Sequence, residues 1–364
     1  MAEATTRFDA AATSDLTTAR RPAATADPQT DPRARIALAG LRARAQELGR
    51  LAAVTIDALA DPAVALSIDS PEFADLARET VPRWHFAMLN DHERNDALAV
   101  ALERVIPAGA TVLDIGAGTG LLAMMAVKAG AKHVYSCEAN PMMAEVARQV
   151  VAEHGLADVI TVLAVRSTDL VVGRDLPGRV DAVISEIVDC GLIGEGLLPS
   201  VRHAREELLV PGGILLPRTA RVLGALVQSE VAAGLNRVDN AGGFDVSLLN
   251  SLATVGHFPV RLHTWPHRFL SAPVELASFD CESGPLEAGE RALSIPVHSE
   301  GTAHALVAWF ELELGGGVTL RNSPENVSSH WMQAMIPLPT PLVVDPAEPV
   351  ELELAWTETQ FSLR

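Results

Sequence analysis

Apolar residues between positions 100 and 217 fall in short runs that alternate with helix-like segments. Runs of four to six apolar residues predict strands, and apolar residues that recur every three or four positions predict helices. The predicted order is strand 111–115, helix 121–129, strand 133–137, helix 142–154, strand 160–164 and strand 180–184. This alternation is typical of an α/β domain in which helices cover both faces of a parallel sheet.

Beyond residue 217 the pattern changes. Pro211, Gly212 and Gly213 predict a turn, and later segments such as 304–314 and 350–356 alternate apolar and polar residues. A period of two is typical of antiparallel strands with one buried face. We therefore predict an α/β domain at 81–217 followed by an antiparallel β domain at 218–364.

The N-terminal part of the chain shows different patterns. Residues 1–30 have no periodicity and are predicted to be disordered. Residues 31–80 are predicted as a helical extension, with an amphipathic helix near 38–59 and two short helices that begin at Asp61-Pro62 and Ser70-Pro71. These helices either cover the core of their own chain or pair with a second subunit.

Composition narrows the classes of function. The 364 residues are 48% hydrophobic and carry a net charge of −18. That charge argues against a nucleic-acid partner, because binding phosphates requires clustered Lys and Arg. No apolar run approaches the roughly 18 residues of a membrane span. The three cysteines lack paired or metal-ligand spacing, so we expect no metal site and a reduced, cytoplasmic location.

A glycine segment follows the first predicted strand. Its glycines, Gly116, Gly118 and Gly120, follow Asp114 with the spacing G-x-G-x-G, and the second strand ends at the acidic Glu138. A dinucleotide fingerprint would have the spacing G-x-G-x-x-G. The pattern favours S-adenosylmethionine, whose ribose hydroxyls a glutamate can bind, over NAD, although an ordinary strand–turn remains an alternative.

Glu186 and Glu195 lie nine residues apart in a loop that contains glycines. Two close carboxylates favour a cationic guest, because without one they repel each other. A guanidinium is such a guest. It is a poor nucleophile while protonated, and a pair of carboxylates can localise its charge and aim the remaining nitrogen. The alternative is two solvated loop glutamates.

Four ordered motifs resemble the protein arginine methyltransferase family over about residues 84–364. They are 88–95 (MLNDHERN), the glycine segment, 185–196 (SEIVDCGLIGEG) and 328–333 (SSHWMQ). The last two are most similar to the monomethylating type III branch. Two features depart from the family: the tyrosine-rich motif upstream of Met88 is missing, and Ser329 replaces the usual threonine.

The resemblance implies a Rossmann-like domain that binds S-adenosylmethionine, followed by a β-barrel. It also implies a role for each site residue. Met88, Arg94, Asp114, Gly116, Gly118, Gly120, Glu138, Ser167 and Thr168 would bind the methyl donor, with Arg94 on its carboxylate, Glu138 on its ribose and Ser167 with Thr168 at its adenine. Met88 would also limit the space beside the target nitrogen. Glu186, Glu195, His330 and Trp331 would bind the substrate. His330 would pair with Asp91, and both would assist Glu186 and Glu195 in catalysis.

The resemblance leaves the substrate open. A bacterial branch of the family methylates free L-arginine in specialised metabolism, including on the way to streptozotocin. We expect free L-arginine, with the delta nitrogen as one option. Peptidyl arginine and a catalytically inactive binding paralogue are the alternatives. Residues 231–272 resemble the family's dimerisation arm. We predict a homodimer, with an apolar surface formed by Leu248, Leu249, Phe258, Trp265 and Phe269.

Overall fold

The computed structural model describes residues 31–60 and 71–364, and the described residues fall into two units divided between Phe73 and Ala74. In the first unit, helix α1 (Pro32–Ala60) confirms the predicted helix near 38–59, whereas Leu38, Leu41 and Leu48 of its predicted apolar face are exposed. Helix α2 (Pro71–Thr80) begins at the predicted proline. The short helix predicted after Asp61 lies outside the described residues. No helix in the described ranges has the length and apolar character of a membrane span.

Five parallel strands form the sheet of the N-terminal half of the second unit. They are β1 (Thr111–Ile115), β2 (His133–Cys137), β3 (Ile160–Leu163), β4 (Val180–Ser185) and β5 (Leu209–Leu216), in the order β3-β2-β1-β4-β5. The order reverses between β1 and β4, which are paired with Ile115 opposite Ser185. In such sheets ligands bind at the carboxyl ends of the strands beside this reversal.

Helices alternate with the strands of this half. They are α3 (Trp84–Leu89), α4 (His92–Val105), α5 (Leu121–Lys128), α6 (Pro141–Glu153) and α7 (Leu197–His203). Asn140 caps α6 by accepting hydrogen bonds from the backbone N–H groups of Met142 and Met143. Leu98, Leu102, Ala123, Ala126 and Ala147 are fully buried, which is expected of helix faces that pack on a sheet.

The predicted turn at Pro211–Gly213 is wrong in one respect. The structure counts these residues within β5, where they form an outward bulge. Leu209 pairs with Val180 and Ile214 pairs with Ala182, so four residues of β5 project beside one residue of β4. Gly212 takes a φ of 75°, which a residue without a side chain adopts readily. Strand β5 therefore continues through a Pro-Gly-Gly sequence, which usually ends a strand.

Antiparallel strands form the C-terminal half of the second unit. A seven-stranded sheet contains β6 (Thr219–Gln228), β9 (Phe258–Val260), β10 (Arg268–Phe269), β11 (Val274–Asp280), β13 (Gly301–Gly315), β14 (Val318–Arg321) and β15 (Gln333–Val344). A three-stranded sheet contains β12 (Gly289–Ile295), β16 (Val350–Trp356) and β17 (Phe361–Leu363). The fold class is therefore the predicted one, a parallel α/β part followed by an antiparallel β part with a helical N-terminal extension.

The segment 231–272 leaves the β sheet and returns to it. It begins within α8 (Glu230–Ala233) and contains the short hairpin of β7 (Asn240–Ala241) with β8 (Phe244–Asp245) and a 3-10 turn, Ser247–Leu252. The predicted apolar surface is only partly correct. Phe258, Trp265 and Phe269 pack on a core cluster of their own β sheet. Phe258 lies in β9, which pairs with β15, and Phe269 lies in β10, which pairs with β6. Leu248 and Leu249 are exposed, together with Phe244, Leu252 and Val255.

Candidate active site

A cavity of about 860 Å³ opens at the carboxyl ends of β1 and β4. It brings together almost every residue predicted for the site. The predicted residues that line it are Met88, Arg94, Gly116, Gly118, Glu138, Ser167, Thr168, Glu186, Glu195, His330 and Trp331. The sequence motifs, which lie far apart along the chain, therefore meet in one place. A smaller cavity of about 280 Å³ lies between 231–272 and the antiparallel sheet, away from these residues.

The glycine segment forms one wall of the cavity. Gly118 takes a φ of 54°, and its backbone N–H donates to Oε2 of Glu138 at 2.9 Å. A Cβ added at Gly118 would meet no protein atom within 4 Å. A side chain at this position would therefore occupy open space rather than disturb the core, which suits a close approach of a ligand to the backbone.

Asp114 lies at the base of this wall and is fully buried. Its Oδ2 accepts a hydrogen bond from Ser136 at 2.6 Å, whereas its Oδ1 has no partner among the described residues. Burial raises the pKa of Asp114 to about 7, against the opposing effect of Ser136. A buried acceptor without a donor is costly unless a ligand supplies one. Asp114 is not among the residues that line the cavity, so the fit to S-adenosylmethionine rests on the glycine wall and on the acceptor Glu138, which suits ribose hydroxyls.

Arg94 and Glu186 form a buried ion pair in the cavity. Each side chain is 3% exposed, and both Nε and Nη2 of Arg94 donate to Oε2 of Glu186, the former at 2.7 Å. Burial raises the pKa of Glu186, and the charge of Arg94 opposes that rise. Arg94 therefore stabilises the carboxylate form of Glu186 in this structure.

Glu195 faces the same cavity and is exposed to solvent there. The surrounding protein raises its pKa to about 7, and the carboxylates of Glu186 and Asp189 add to this effect. Repulsion between like charges is relieved when a cation binds between them. The arrangement is therefore suited to a cationic group.

His330 and Asp91 are joined as predicted. The Nδ1 atom of His330 lies 2.8 Å from Oδ2 of Asp91, and the backbone N–H of His330 donates to the same oxygen at 2.9 Å. Asp91 also caps α4 by accepting from the backbone N–H of Arg94. Burial alone would raise the pKa of Asp91, but the hydrogen bonds from His330 and Arg94 outweigh it and lower that pKa. Burial lowers the pKa of His330, with Asp91 acting against it.

Two other predicted residues make structural contacts in the cavity wall. Trp331 donates its indole N–H to the carbonyl oxygen of Val188 at 3.1 Å, which ties the antiparallel half to the loop that carries both glutamates. Ser167 donates to Ser200 on α7 at 3.0 Å. These contacts show how the wall is built; the ligand roles assigned to Trp331 and Ser167 stay predictions.

Three residues that sequence analysis missed hold the acidic loop, residues 186–196. Asn322 is fully buried and donates its Nδ2 to the carbonyl oxygen of Cys190 at 3.0 Å. Asp189 accepts the backbone N–H of Gly194 at 2.8 Å and lies 2.8 Å from Nε2 of His257. Asp189 stands inside one of the four motifs, but nothing in the sequence connects it with position 257 or places Asn322 at this loop.

Comparison with known proteins agrees with this geometry. Residues 219–364 match the family model described as the arginine methyltransferase oligomerization subdomain, and residues 91–231 match that of the ribosomal protein L11 methyltransferase. The chain is 56% identical to the arginine N(omega)-methyltransferase of Streptomyces achromogenes subsp. streptozoticus, over 94% of this chain and 95% of that relative. The chain belongs to the protein arginine methyltransferase family. It is an S-adenosylmethionine-dependent N-methyltransferase, as the motifs predicted.

More distant members of the arginine methyltransferase family share the two halves of the fold. Protein arginine N-methyltransferase 7 of Drosophila ananassae is 33% identical over 70% of this chain, which spans 43% of that longer protein. The Trypanosoma brucei PRMT1 enzyme–prozyme heterotetramer with AdoHcy superposes with a TM-score of 0.64 at 25% identity, over 75% of this chain and 86% of that one. Arabidopsis thaliana protein arginine methyltransferase 10 gives a TM-score of 0.61 at 25% identity, over 74% and 86%.

Proposed function

We propose that this methyltransferase transfers a methyl group to an omega nitrogen of free L-arginine. The observation that carries the proposal is the pair Glu186 and Glu195, which meet in one cavity beside the glycine wall. The similarity to the Streptomyces arginine N(omega)-methyltransferase over nearly its full length supports both the substrate and the position of the methyl group. That similarity favours an omega nitrogen over the delta nitrogen, which the sequence left as an option.

The donor supplies a sulfonium methyl group when it is bound. Asp114, the glycine wall and Glu138 would hold it at the carboxyl ends of the parallel strands, with Ser167, Thr168 and Met88 beside its adenine and methyl ends. Arg94 is the candidate for its carboxylate, because a planar guanidinium binds a carboxylate in a bidentate manner. Arg94 already contacts Glu186, so one cation would link donor and substrate sites.

Glu186 and Glu195 would bind the guanidinium of arginine between them. A guanidinium stays protonated at every cellular pH and offers no free lone pair. Two carboxylates on two of its nitrogens draw the positive charge toward themselves, which leaves the third nitrogen richer in electrons and aimed at the methyl group. The proton lost after transfer would pass to Glu195 or to the Asp91–His330 pair, both of which face the cavity through Glu195 and His330.

Mass spectrometry of the products tests the proposal directly. The enzyme would be incubated with S-adenosylmethionine and either free L-arginine or an arginine-rich peptide, and fragmentation would locate the methyl group. We expect a methyl group on a terminal nitrogen of free arginine, formed at least tenfold faster than on the peptide. Faster methylation of the peptide would support a protein substrate instead, and no methylation of either would support an inactive binding paralogue.

We also propose that two copies of the chain form a homodimer through residues 231–272. The match of 219–364 to an oligomerization subdomain supports this. The exposed side chains of Phe244, Leu248, Leu249 and Leu252 support it as well, because large apolar side chains exposed on one segment favour association. A cytoplasmic location stays a prediction from the three cysteines, which are free and buried.

A further inference from the structure

Residue 257 belongs to the segment 231–272 but contacts the acidic loop. Nε2 of His257 lies 2.8 Å from Oδ2 of Asp189, and the imidazole is only 4% exposed. Oδ1 of the same carboxylate accepts the backbone N–H of Gly194, the residue immediately before Glu195. A chain of two hydrogen bonds thus connects His257 to the backbone that carries Glu195.

The other ring nitrogen fixes the tautomer of His257. Its Nδ1 lies 3.1 Å from the backbone nitrogen of Phe361, whose N–H donates to it. An imidazole nitrogen that accepts a hydrogen bond carries no proton, so the proton resides on Nε2 and is donated to Asp189. Asp189, Cys190 and His257 also place ligand atoms within 4.8 Å of one another. A metal would need the Nε2 lone pair, which this tautomer does not provide.

The loop needs external support for two reasons. Leu192 has a φ of 83° and is fully buried, the one non-glycine residue with positive φ in the part of the chain that the structure describes. Such a backbone persists only when its surroundings impose it. In addition, the carboxylates of Glu186, Asp189 and Glu195 lie near one another and repel.

Two glycines provide the space for this contact. A Cβ at Gly191 would lie 2.6 Å from Nε2 of His257, and one at Gly194 would overlap the carboxylate of Asp189. Neither glycine has a positive φ, the usual reason for a glycine at a loop position. The space they leave is filled by the His257–Asp189 pair.

We propose that neutral His257 is a positioning residue that holds Glu195 in place through Asp189. The proposal rests on the proposed role of Glu195 as a ligand of the guanidinium. Because His257 enters from the segment 231–272 and is fixed by the C-terminal strand β17, the position of Glu195 depends on three distant parts of the chain.

Three variants test the proposal. His257→Leu fills the volume but cannot donate, whereas His257→Gln places an amide N–H near the position of Nε2. His203→Ala is the control, since His203 makes a hydrogen bond with the carbonyl oxygen of Leu170 and is not among the residues that line the cavity. We expect H257L to lower kcat for arginine at least tenfold with donor affinity within twofold of wild type. H257Q should restore kcat to within threefold, and H203A should retain wild-type kcat.

Several results would overturn the proposal. They are a kcat of H257L within threefold of wild type, an H257Q variant as slow as H257L, and a loss of donor affinity that parallels the loss of kcat. If H257L fails to fold, Asp189→Asn replaces it, because an amide cannot accept both N–H groups; wild-type kcat in that variant also refutes the idea.

Nitrogen-15 spectra of the imidazole should show a neutral Nε2–H tautomer. A charged ring, or an effect of zinc or of a chelator on kcat, would contradict the proposal.

The variant Glu195→Gln separates this proposal from the proposed function. If E195Q is as active as wild type, Glu195 is not the guanidinium ligand and the proposed function fails. If E195Q is inactive while H257L is fully active, the function stands and the positioning role of His257 fails.

Discussion

At the scale of single residues, the site depends on the contrast between two similar glutamates. Glu186 is held by Arg94 in a buried ion pair, whereas Glu195 faces the cavity with a pKa raised to about 7 by the surrounding protein and by nearby carboxylates. The sequence predicted both residues from their spacing. It could not predict the difference between them, which depends on Arg94, a residue 92 positions earlier than Glu186.

Neutralising either glutamate should affect catalysis more than donor binding. We expect Glu186→Gln and Glu195→Gln each to lower kcat by roughly two orders of magnitude, because charge localisation on the guanidinium is lost while the glycine wall is unchanged. Glu145→Gln, on the surface of α6, is the control. Steady-state kinetics and calorimetric titration with the donor would measure both effects, and activity of both variants within a few-fold of wild type would contradict the mechanism.

The raised pKa of Glu195 predicts a pH dependence. Below a pH of about 7 this residue is increasingly protonated before arginine binds and loses the charge that attracts a guanidinium, whose own charge is constant. At saturating donor, kcat/KM for arginine should therefore fall roughly tenfold per pH unit below 7 and level off above it. A profile that is flat between pH 6 and 8 would mean that Glu195 is ionised throughout that range.

At the scale of elements, local patterns predicted the α/β half well. Strands β1 and β2 begin and end at the predicted residues, because each is a short apolar run whose ends are marked by turn residues. The bulge at Pro211–Gly213 was predicted as a turn, since proline and glycine give the same local signal in both. Pairing with β4 decides the outcome, and pairing is not a local property.

The glycine wall gives a prediction at this scale. Gly118→Val would place a branched side chain in the cavity at a φ of 54°, and Glu138→Ala would remove the acceptor at the end of β2. Both variants should weaken donor binding at least tenfold, while Gly109→Ala, in a turn distant from the cavity, should change only stability. Unchanged donor affinity in both site variants, measured by calorimetry, would mean that the donor binds elsewhere.

At the scale of the whole molecule, the sequence predicted which motifs meet but not what holds them. Asn322 and His257 reach the acidic loop from the antiparallel half, across 132 and 68 positions from their partners. Single polar residues in strands and loops carry no periodic signal, so only the tertiary structure identifies them. Similarly, Phe258, Trp265 and Phe269 resembled surface residues of an arm, but they pack on the core of their own sheet.

The remaining exposed residues of the segment 231–272 decide the last prediction. Leu248 and Leu249 are 50% and 57% exposed in the single chain, and Phe244 and Leu252 nearby in the same segment are exposed as well. If they are buried between two subunits, the double change Leu248→Glu and Leu249→Glu would place charges in an apolar contact and dissociate the dimer. Val343→Glu, at a residue 82% exposed on β15, is the control and should leave the dimer intact. Light scattering at micromolar concentration distinguishes these outcomes. A double variant that remains dimeric would place the interface on another surface, and a wild-type monomer would refute the dimer itself.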